Sequence, residues 1–171
     1  AVDGTAAIVE FPGVLYRGAA EAKIRQYLVE NNYVDAVIQL PPDLFFGTTI
    51  GTCIIVLKKS KQDNSVLFVD ASKQFVRQGN KNRLSAENQE MILETLAKRV
   101  DIDHVAALVS AEAIRENGFN LSVSSYVEAE NTREEVDIVE LNARIKKIVE
   151  RQAVLRASID EIVADLEGGA R

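Results

Sequence analysis

The feature that most constrains this chain is a long apolar stripe near its end. Between positions 132 and 167, apolar residues recur at alternating intervals of three and four, the heptad pattern of a helix that packs against another helix. Thr132 and Glu135 have the spacing of a capping box, and Gly168 with Gly169 predicts the helix end. The stripe, called the seam below, consists of Ile138, Leu141, Ile145, Ile148, the single polar residue Gln152, Leu155, Ile159, Ile162 and Leu166.

A helix of this length has a consequence for assembly. It would run for about 50 Å, and a domain of about 125 residues cannot bury the whole of such a stripe. We therefore expect part of the seam to meet a helix from another chain. Packing against the chain's own domain and self-pairing in a dimer are the alternatives.

Composition argues against several kinds of site. The chain has 171 residues, a net charge of −6, one cysteine and one histidine. Cys53 has no partner for an internal disulfide, and His104 alone leaves little scope for zinc or for a catalytic triad. The negative charge argues against non-specific binding of nucleic acid by the whole chain. The only methionine is Met91, so we expect a fragment or a processed piece.

The first part of the chain alternates strand and helix patterns. Residues 6–11 are an apolar run typical of a buried strand, residues 19–30 have helical spacing, and residues 34–40 form a second strand. These lengths predict a βαβ unit with parallel strands, and hence an α/β fold. Strands at 52–58 and 65–70 follow, and the short polar link between them predicts an antiparallel hairpin.

The helices of this part should turn apolar stripes towards the core. A polar loop at 71–85 leads to a second helix that begins at Ser85, and residues 105–109 form a further strand or a buried segment. Ser110 predicts the cap of a short helix, and residues 119–127 read as an extended arm. The predicted stripes are Ala20, Ile24, Tyr27 and Leu28 in the first helix, and Ile92, Leu93, Leu96 and Val100 in the second.

The stretch LPPDLFFGTTIGTCIIVLKK, residues 40–59, looks at first like the loop with which DNA amino-methyltransferases hold their target base. That loop places Asn or Asp directly before Pro-Pro, because its side-chain carbonyl accepts a hydrogen bond from the target amino group. Leu40 stands at that position and accepts nothing, while Asp43 follows the prolines. Residues 40–59 are therefore not the catalytic loop.

The glycines of this stretch do not form a cofactor loop either. Gly47 and Gly51 precede a strand, whereas loops that bind dinucleotides or S-adenosylmethionine follow a strand and open a helix. The chain contains no Gly-Lys-Ser/Thr, which excludes a P-loop. A tight turn that leads into the strand is favoured over phosphate binding.

Residues 4–127 nevertheless resemble the later half of the catalytic domain in the methylation subunits of type I restriction–modification systems, which are N6-adenine DNA methyltransferases. The strings that carry the resemblance are FPGVLYRGAAEA, LPPDLFFGTT, GTCI, VLFVDASKQF and NGFNLSVSSYV, in this order. Two departures stand out: Glu10 to Gly13 replaces the family's Leu-Pro-Asn-Gly, and Asp43 replaces an Asn. Neither lies at a residue that the chemistry obviously needs.

The resemblance implies a fold and a place within it. The fold would be α/β, the second half of a Rossmann-like sheet of an S-adenosylmethionine-dependent methyltransferase, followed by a long coiled-coil-like helix. Residues 1–128 would form the C-terminal half of the catalytic domain, beginning at about its fifth strand, and residues 129–171 the helix for subunit assembly. The cofactor loop and the catalytic Asn-Pro-Pro-Phe would lie upstream, so the chain alone should be inactive. S-adenosylmethionine would bind the parent protein, and no cofactor is expected on this chain.

The resemblance also implies partners and a setting. The specificity and restriction subunits of the same system would bind the chain, the long helix would hold the specificity subunit, and DNA would be reached through the assembly in the cytoplasm. A sheet that starts at its fifth strand has an exposed edge, which also allows self-association. The alternative is a stand-alone α/β interaction module that assembles through its helix.

Two loops would carry the site residues within this family. Phe45, Phe46, Gly47 and Thr48 would flank the flipped adenine, unless the aromatic rings simply fill the core. The loop from Ser72 to Arg83 holds four cations and no acid, which could contact DNA phosphates, although a solvated loop is the alternative. These cations are Lys73, Arg77, Lys81 and Arg83.

Overall fold

The computed structural model describes residues 3–130 and 137–168. The chain divides into two compact units, Ala1–Glu130 and Asn131–Arg171. The first is a mixed α/β unit and the second contains one long helix, so the predicted fold class is confirmed. The strands are β1 (Thr5–Glu10), β2 (Val34–Gln39), β3 (Cys53–Lys58), β4 (Ser65–Asp70), β5 (Val76–Gln78), β6 (Lys81–Arg83) and β7 (Ala106–Ser110). The α-helices are α1 (Ala19–Glu30), α2 (Ala86–Lys98), α3 (Ala111–Glu116) and α4 (Ile138–Gly168).

The main sheet has five strands in the order β1-β3-β2-β4-β7. Both β1 and β2 pair antiparallel with β3, so β1 and β2 run parallel to each other in one sheet. β4 pairs parallel with β2 and antiparallel with β7. The βαβ prediction is therefore confirmed, with β3 inserted between its two strands.

The predicted hairpin between β3 and β4 is wrong, because β2 lies between these two strands. The link after β3 crosses the start of β2 instead. Lys61 in this link donates hydrogen bonds to the carbonyl oxygens of Val34, at 2.6 Å, and Ser65, at 2.8 Å. Since crossing one strand spans only about 10 Å, a short link fits a crossover as well as a hairpin.

β1 is not the buried strand that its apolar run predicts. Ile8 is 42% exposed and Val9 is 51% exposed. Among the residues that the structure describes, β3 is the only strand that pairs with β1, which therefore forms an edge of the sheet. Apolar composition alone does not distinguish an edge strand from a central one, because the covering element is not encoded in the strand itself.

The core lies on both faces of the sheet around β4. Phe68 packs into one cluster of buried residues, with Leu15 and Ile114, and its ring stacks on that of Tyr126 with centroids 4.3 Å apart. Leu67 belongs to a second cluster on the other face. A strand covered on both faces reads as a continuous apolar run, which is why β4 is visible in the sequence.

Two helices bury different residues from those predicted. In α1 the buried side chains are Arg25 and Val29, whereas Ile24 and Tyr27 are each 58% exposed. Arg25 can replace an apolar residue because its guanidinium donates to the carbonyl oxygens of Phe119, at 2.9 Å, and Val14, at 2.8 Å. Ala20 is exposed as well, and Leu28 is half-buried.

The same shift occurs in α2, where Thr95 is buried beside Ile92 while Leu93 is exposed. Val100 is exposed as well, and it lies beyond the end of the helix at Lys98. Thr95 satisfies its hydroxyl by donating to the carbonyl oxygen of Met91, at 2.8 Å. A search for apolar spacing leaves out buried polar residues such as Thr95. The predicted core-facing stripe is therefore displaced around the helix from the one observed. Leu96 is half-buried against the second core cluster.

The predicted helix starts are confirmed where the structure describes them. Ser85 accepts a hydrogen bond from the backbone N–H of Asn88, whose side chain accepts one in return from the N–H of Ser85. Ser110 caps α3 by accepting from the N–H of Ala113, at 3.3 Å. The strand prediction at 105–109 is confirmed by β7.

Two segments predicted as a loop and an extended arm contain secondary structure instead. The loop at 71–85 contains β5 and β6, which pair as a small antiparallel hairpin. The arm at 119–127 is not extended, because Val123–Ser125 forms a 3₁₀ helix and Val123 is buried. The alternation of small polar and apolar residues in this arm suits a short 3₁₀ turn as well as a strand.

The second unit is one helix, α4, whose seam residues are all exposed. The exposed fractions of the apolar seam residues run from 45% at Leu141 to 71% at Leu166. Asp137 caps the helix by accepting from the N–H of Val139, at 2.8 Å. The predicted capping box of Thr132 and Glu135 lies outside the described residues, and α4 includes Gly168. No helix in the described part of the chain is long and apolar enough to cross a membrane.

Candidate functional site

The candidate site is a cleft of about 440 Å³ at the end of β1. Glu10 and Phe11 form one side, and the loop between β2 and β3 forms the other. This loop contributes the predicted base-pocket residues, which the fold brings together beside the start of β3. The lining residues are Val9, Glu10, Phe11, Phe45, Phe46, Gly47, Thr48 and Thr52.

The two aromatic rings of the loop differ in exposure. Phe46 is 101% exposed and Phe45 is 43% exposed, so neither ring fills the core. Leu40 has the opposite environment, being 4% exposed and packed in the second core cluster. Gly47 has a φ of +80°, a backbone conformation that a residue with a β-carbon rarely adopts.

Thr52 is a feature of the cleft that sequence reasoning missed. It is 5% exposed, and its hydroxyl has no hydrogen-bond partner among the described residues. A buried polar group without a partner costs about 1–3 kcal/mol, so the position invites a polar ligand atom. The sequence offered no signal for it beyond a threonine at the start of an apolar run.

The small hairpin of β5 and β6 is hydrogen-bonded to the loop that joins β2 to β3. The side-chain amide of Asn82, which is 6% exposed, donates to the carbonyl oxygen of Pro42 at 2.8 Å. The backbone N–H of Asn82 donates to the carbonyl oxygen of Asp43 at 3.0 Å. The ammonium group of Lys81 donates to the carbonyl oxygen of Thr48 at 3.1 Å. The hairpin thereby positions the loop that carries Phe45 and Phe46.

The four predicted phosphate contacts occupy different environments. Arg77 lies 3.4 Å from the carboxylate of Asp43, and Lys81 lies 3.8 Å from the same carboxylate. Lys73 pairs with Glu130 at 3.2 Å. The loop itself contains no acid, but carboxylates from other segments lie within ion-pair distance of three of its four cations. Arg83, at the end of β6, is exposed.

Cys53 lies beside the cleft but does not have the properties of a nucleophile. Its side chain is 0% exposed, and its thiol donates to the carbonyl oxygen of Glu10 at 3.4 Å. Burial, reinforced by the nearby charge of Glu10, raises the pKa of the Cys53 thiol to about 11. The thiol therefore stays protonated at neutral pH.

His104 lines a separate cleft with Asp101 and Asp103, and its Nδ1 lies 3.1 Å from the carbonyl oxygen of Glu128. Within residues 3–130 and 137–168, no three His, Cys, Asp or Glu side chains are grouped so that they could hold a metal ion.

Comparison with known sequences finds several methylase relatives of this chain. The sequence model of the N-6 DNA Methylase family matches residues 1–135. The methylase subunit of the type I restriction enzyme MpnII from Mycoplasma pneumoniae is 45% identical over 166 residues, covering 96% of this chain and 31% of that protein. The corresponding MjaVII subunit from Methanocaldococcus jannaschii is 32% identical over 167 residues, covering 94% of this chain and 28% of that protein. The chain thus spans about a third or less of the curated relatives it matches.

Solved structures agree with the sequence comparison. A type I restriction-modification methyltransferase subunit from Streptococcus thermophilus superposes with a TM-score of 0.71 at 45% identity, over 73% of this chain and 27% of that one. The M protein of the type I restriction enzyme EcoKI superposes with a TM-score of 0.60 at 14% identity, over 99% of this chain and 42% of that one. At that identity the second likeness shows the fold alone.

Proposed function

The chain belongs to the N-6 DNA methylase family, and from this premise we propose that it is the C-terminal part of a type I modification methylase subunit. In the full assembly that subunit transfers a methyl group from S-adenosylmethionine to N6 of adenine in DNA, in the cytoplasm. The observation that carries the proposal is the likeness to the named methylase subunit from Mycoplasma pneumoniae along nearly the whole of this chain.

The proposal divides the chain between two tasks. Residues 1–128 complete the catalytic domain, and residues 129–171 serve assembly with the specificity and restriction subunits. The break between the compact units, after Glu130, supports a boundary near this point. The exposed seam of α4 supports the assembly role, because an apolar stripe in water is stabilised by covering it.

The residues of this chain do not fit S-adenosylmethionine by themselves. The chain contains no Gly-x-Gly pair, so the glycine-rich turn that approaches such a cofactor has no counterpart in it. The link from β1 to α1 runs through a 3₁₀ helix, Pro12–Leu15, instead of a tight glycine turn. We propose that other segments of the parent protein hold the cofactor.

We propose that the cleft at the end of β1 receives the flipped adenine. Phe46 offers an exposed ring on which a base can stack, and Thr52 offers a buried hydroxyl that lacks a partner among the described residues. Stacking of a base on an aromatic side chain contributes about 1–3 kcal/mol. The hairpin contacts of Asn82 and Lys81 would hold the ring in place.

Changing Phe46 to Ala should lower kcat/KM for adenine methylation by about tenfold or more in the full assembly, because the base loses its stacking partner. The measurement is the incorporation of labelled methyl groups into N6-methyladenine. Since Phe46 is fully exposed, the substitution should leave the free energy of unfolding unchanged. Tyr27→Ala, which removes an exposed ring from α1, is the matched control.

The two levels of this proposal fail differently. Unchanged kinetics for Phe46→Ala would remove the base pocket but leave the methyltransferase assignment intact. An unmodified assembly that forms no N6-methyladenine would overturn the assignment itself.

We further propose that cations of the β5–β6 region contact DNA phosphates, with Lys81 and Arg83 as the leading candidates beside Lys73 and Arg77. Changing Lys81 and Arg83 to Gln should reduce the slope of log affinity against log salt by about two, since each phosphate contact contributes about one. DNA binding by the full assembly at several salt concentrations measures this slope. Lys98→Gln is the control, because Lys98 lies on α2, outside the β5–β6 region. An unchanged slope in the double variant would exclude these contacts.

A further inference from the structure

Asp43 connects the loop between β2 and β3 to the hairpin of β5 and β6 through two cations. One carboxylate oxygen of Asp43 lies 3.4 Å from Nη1 of Arg77, and the other lies 3.8 Å from Nζ of Lys81. In the described part of the chain, Asp43 is the only acid that pairs with either cation. Because two cations face one acid, one positive charge stays uncompensated and the cluster still attracts an anion.

Neutral acceptors orient the two cations more closely than Asp43 does. Nη1 of Arg77 donates to Oδ1 of Asn82 at 2.9 Å, and Nζ of Lys81 donates to the carbonyl oxygen of Thr48 at 3.1 Å. Both bonds are shorter than the contacts with Asp43, which exceed the distances typical of charge-assisted hydrogen bonds. Each cation would therefore keep its position if the Asp43 carboxylate moved away.

The contacts between Asp43 and the two cations are open to exchange with an anion from solvent. The side chains of Arg77 and Lys81 are 51% and 38% exposed, and that of Asp43 is 26% exposed. Ion pairs at such exposure are weak, because water and salt screen them. A DNA phosphate, like a carboxylate, offers two oxygens that share a negative charge, and guanidinium and ammonium groups have further N–H donors to receive it.

This cluster lies next to the candidate base pocket. Thr48, whose carbonyl oxygen accepts from Lys81, lines the cleft, and Asp43 precedes Phe45 by two residues on the same loop. A phosphate held by the cluster would therefore belong to the DNA backbone close to the nucleotide whose base enters the cleft. Phosphate contacts of this kind fix the register of a protein on DNA.

We propose that Arg77 and Lys81 form one anion site, which the Asp43 carboxylate occupies in the free chain and a DNA phosphate flanking the flipped adenine occupies in the complex. The inference rests on the proposed function and adds to it a competition within the chain. Asp43 has to leave the two cations before a phosphate can bind both of them. Asp43 thereby lowers the affinity for DNA.

Asp43→Asn tests the competition, because it removes the charge and keeps the backbone. Asp43 has a φ of +58°, in the left-handed region that Asn tolerates as well as Asp. The full assembly with this variant should bind a duplex containing its methylation site about threefold to tenfold more tightly. Fluorescence anisotropy at fixed salt measures the dissociation constant, and an unchanged value would overturn the proposal. Glu94→Gln, which removes an exposed charge from α2, is the matched control and should have little effect.

A mutant cycle separates this competition from simple repulsion between DNA and an acid. In a chain that already carries Arg77→Gln and Lys81→Gln, Asp43→Asn should no longer raise the affinity, because no cation is left for it to release. An equal gain in both backgrounds would mean that Asp43 repels DNA without occupying an anion site, and would refute the proposal.

A neutral methylphosphonate in place of one phosphate locates the site on the DNA. At a phosphate that flanks the target adenine, this replacement should weaken binding by the unmodified assembly at least about threefold, and should have little effect once Arg77 and Lys81 are both Gln. If no flanking phosphate shows this difference, the anion site is wrong. Continued formation of N6-methyladenine by the same unmodified assembly would then leave the proposed function standing, whereas an assembly that methylates no adenine would overturn the proposed function itself.

Discussion

Truncating the chain after Glu130 should abolish its co-purification with the specificity subunit. The truncation removes α4 and with it a row of large apolar side chains that are each at least 45% exposed. It leaves the first compact unit intact, because that unit contains both core clusters. Tagged specificity subunit and the truncated parent subunit would be co-expressed, and the bound fraction measured at increasing salt.

A substitution inside α4 separates loss of the seam from loss of the helix. Ile148→Asp with Ile159→Asp places charges on the seam while retaining most of the helix, and should release the partner as the truncation does. Glu150→Lys changes charge on the opposite side of the helix and should leave co-purification unchanged. A truncated subunit that still binds the specificity subunit as tightly as before would show that α4 does not carry that interaction.

Replacing Phe68 with Ala should lower the free energy of unfolding by about 3–5 kcal/mol, the typical cost of removing a large ring from a core. Phe68 is 0% exposed on β4, and its loss leaves a cavity against Tyr126, on which it stacks. Tyr126 cannot easily move into the space, because its hydroxyl donates to the carbonyl oxygen of Asn120 at 2.6 Å. Urea unfolding followed by circular dichroism gives the free energy.

Phe75→Ala is the matched control for this measurement. The same ring is removed, but Phe75 is 38% exposed and lies in the polar segment before β5, so we expect a loss below about 1 kcal/mol. Equal losses for the two variants would mean that the stacked pair is not a centre of the core.

The elements of the fold could be predicted from the sequence more fully than their arrangement. β3 and β4 are largely continuous apolar runs and β2 carries the shorter run 36–38, while the capping residues Ser85 and Ser110 mark helix starts by a local hydrogen bond. Strand order depends instead on which edges meet. A six-residue link such as 59–64 can reach across a strand, as it does over β2, or turn back beside it.

The burial of individual side chains is harder to predict from the sequence where polar residues lie in the core. Arg25 and Thr95 occupy core-facing positions because backbone carbonyl oxygens accept their hydrogen bonds, which no pattern of apolar spacing reveals. The residues of the candidate cleft could likewise be predicted only in part. Phe45 to Thr48 stood out in the sequence, whereas Thr52 and the supporting contacts of Asn82 depend on pairings between distant segments.

The insertion of β3 between β1 and β2 also affects how the sheet assembles. The loop that joins β2 to β3 is much shorter than the chain that separates β1 from β3, so closing it loses less conformational entropy. β3 therefore has a kinetic preference for β2, and β1 adds to the exposed side of an existing ladder. We therefore expect β1, the strand that lines the candidate cleft, to be the last of these three strands to pair, so that the cleft forms after the β2–β3 ladder.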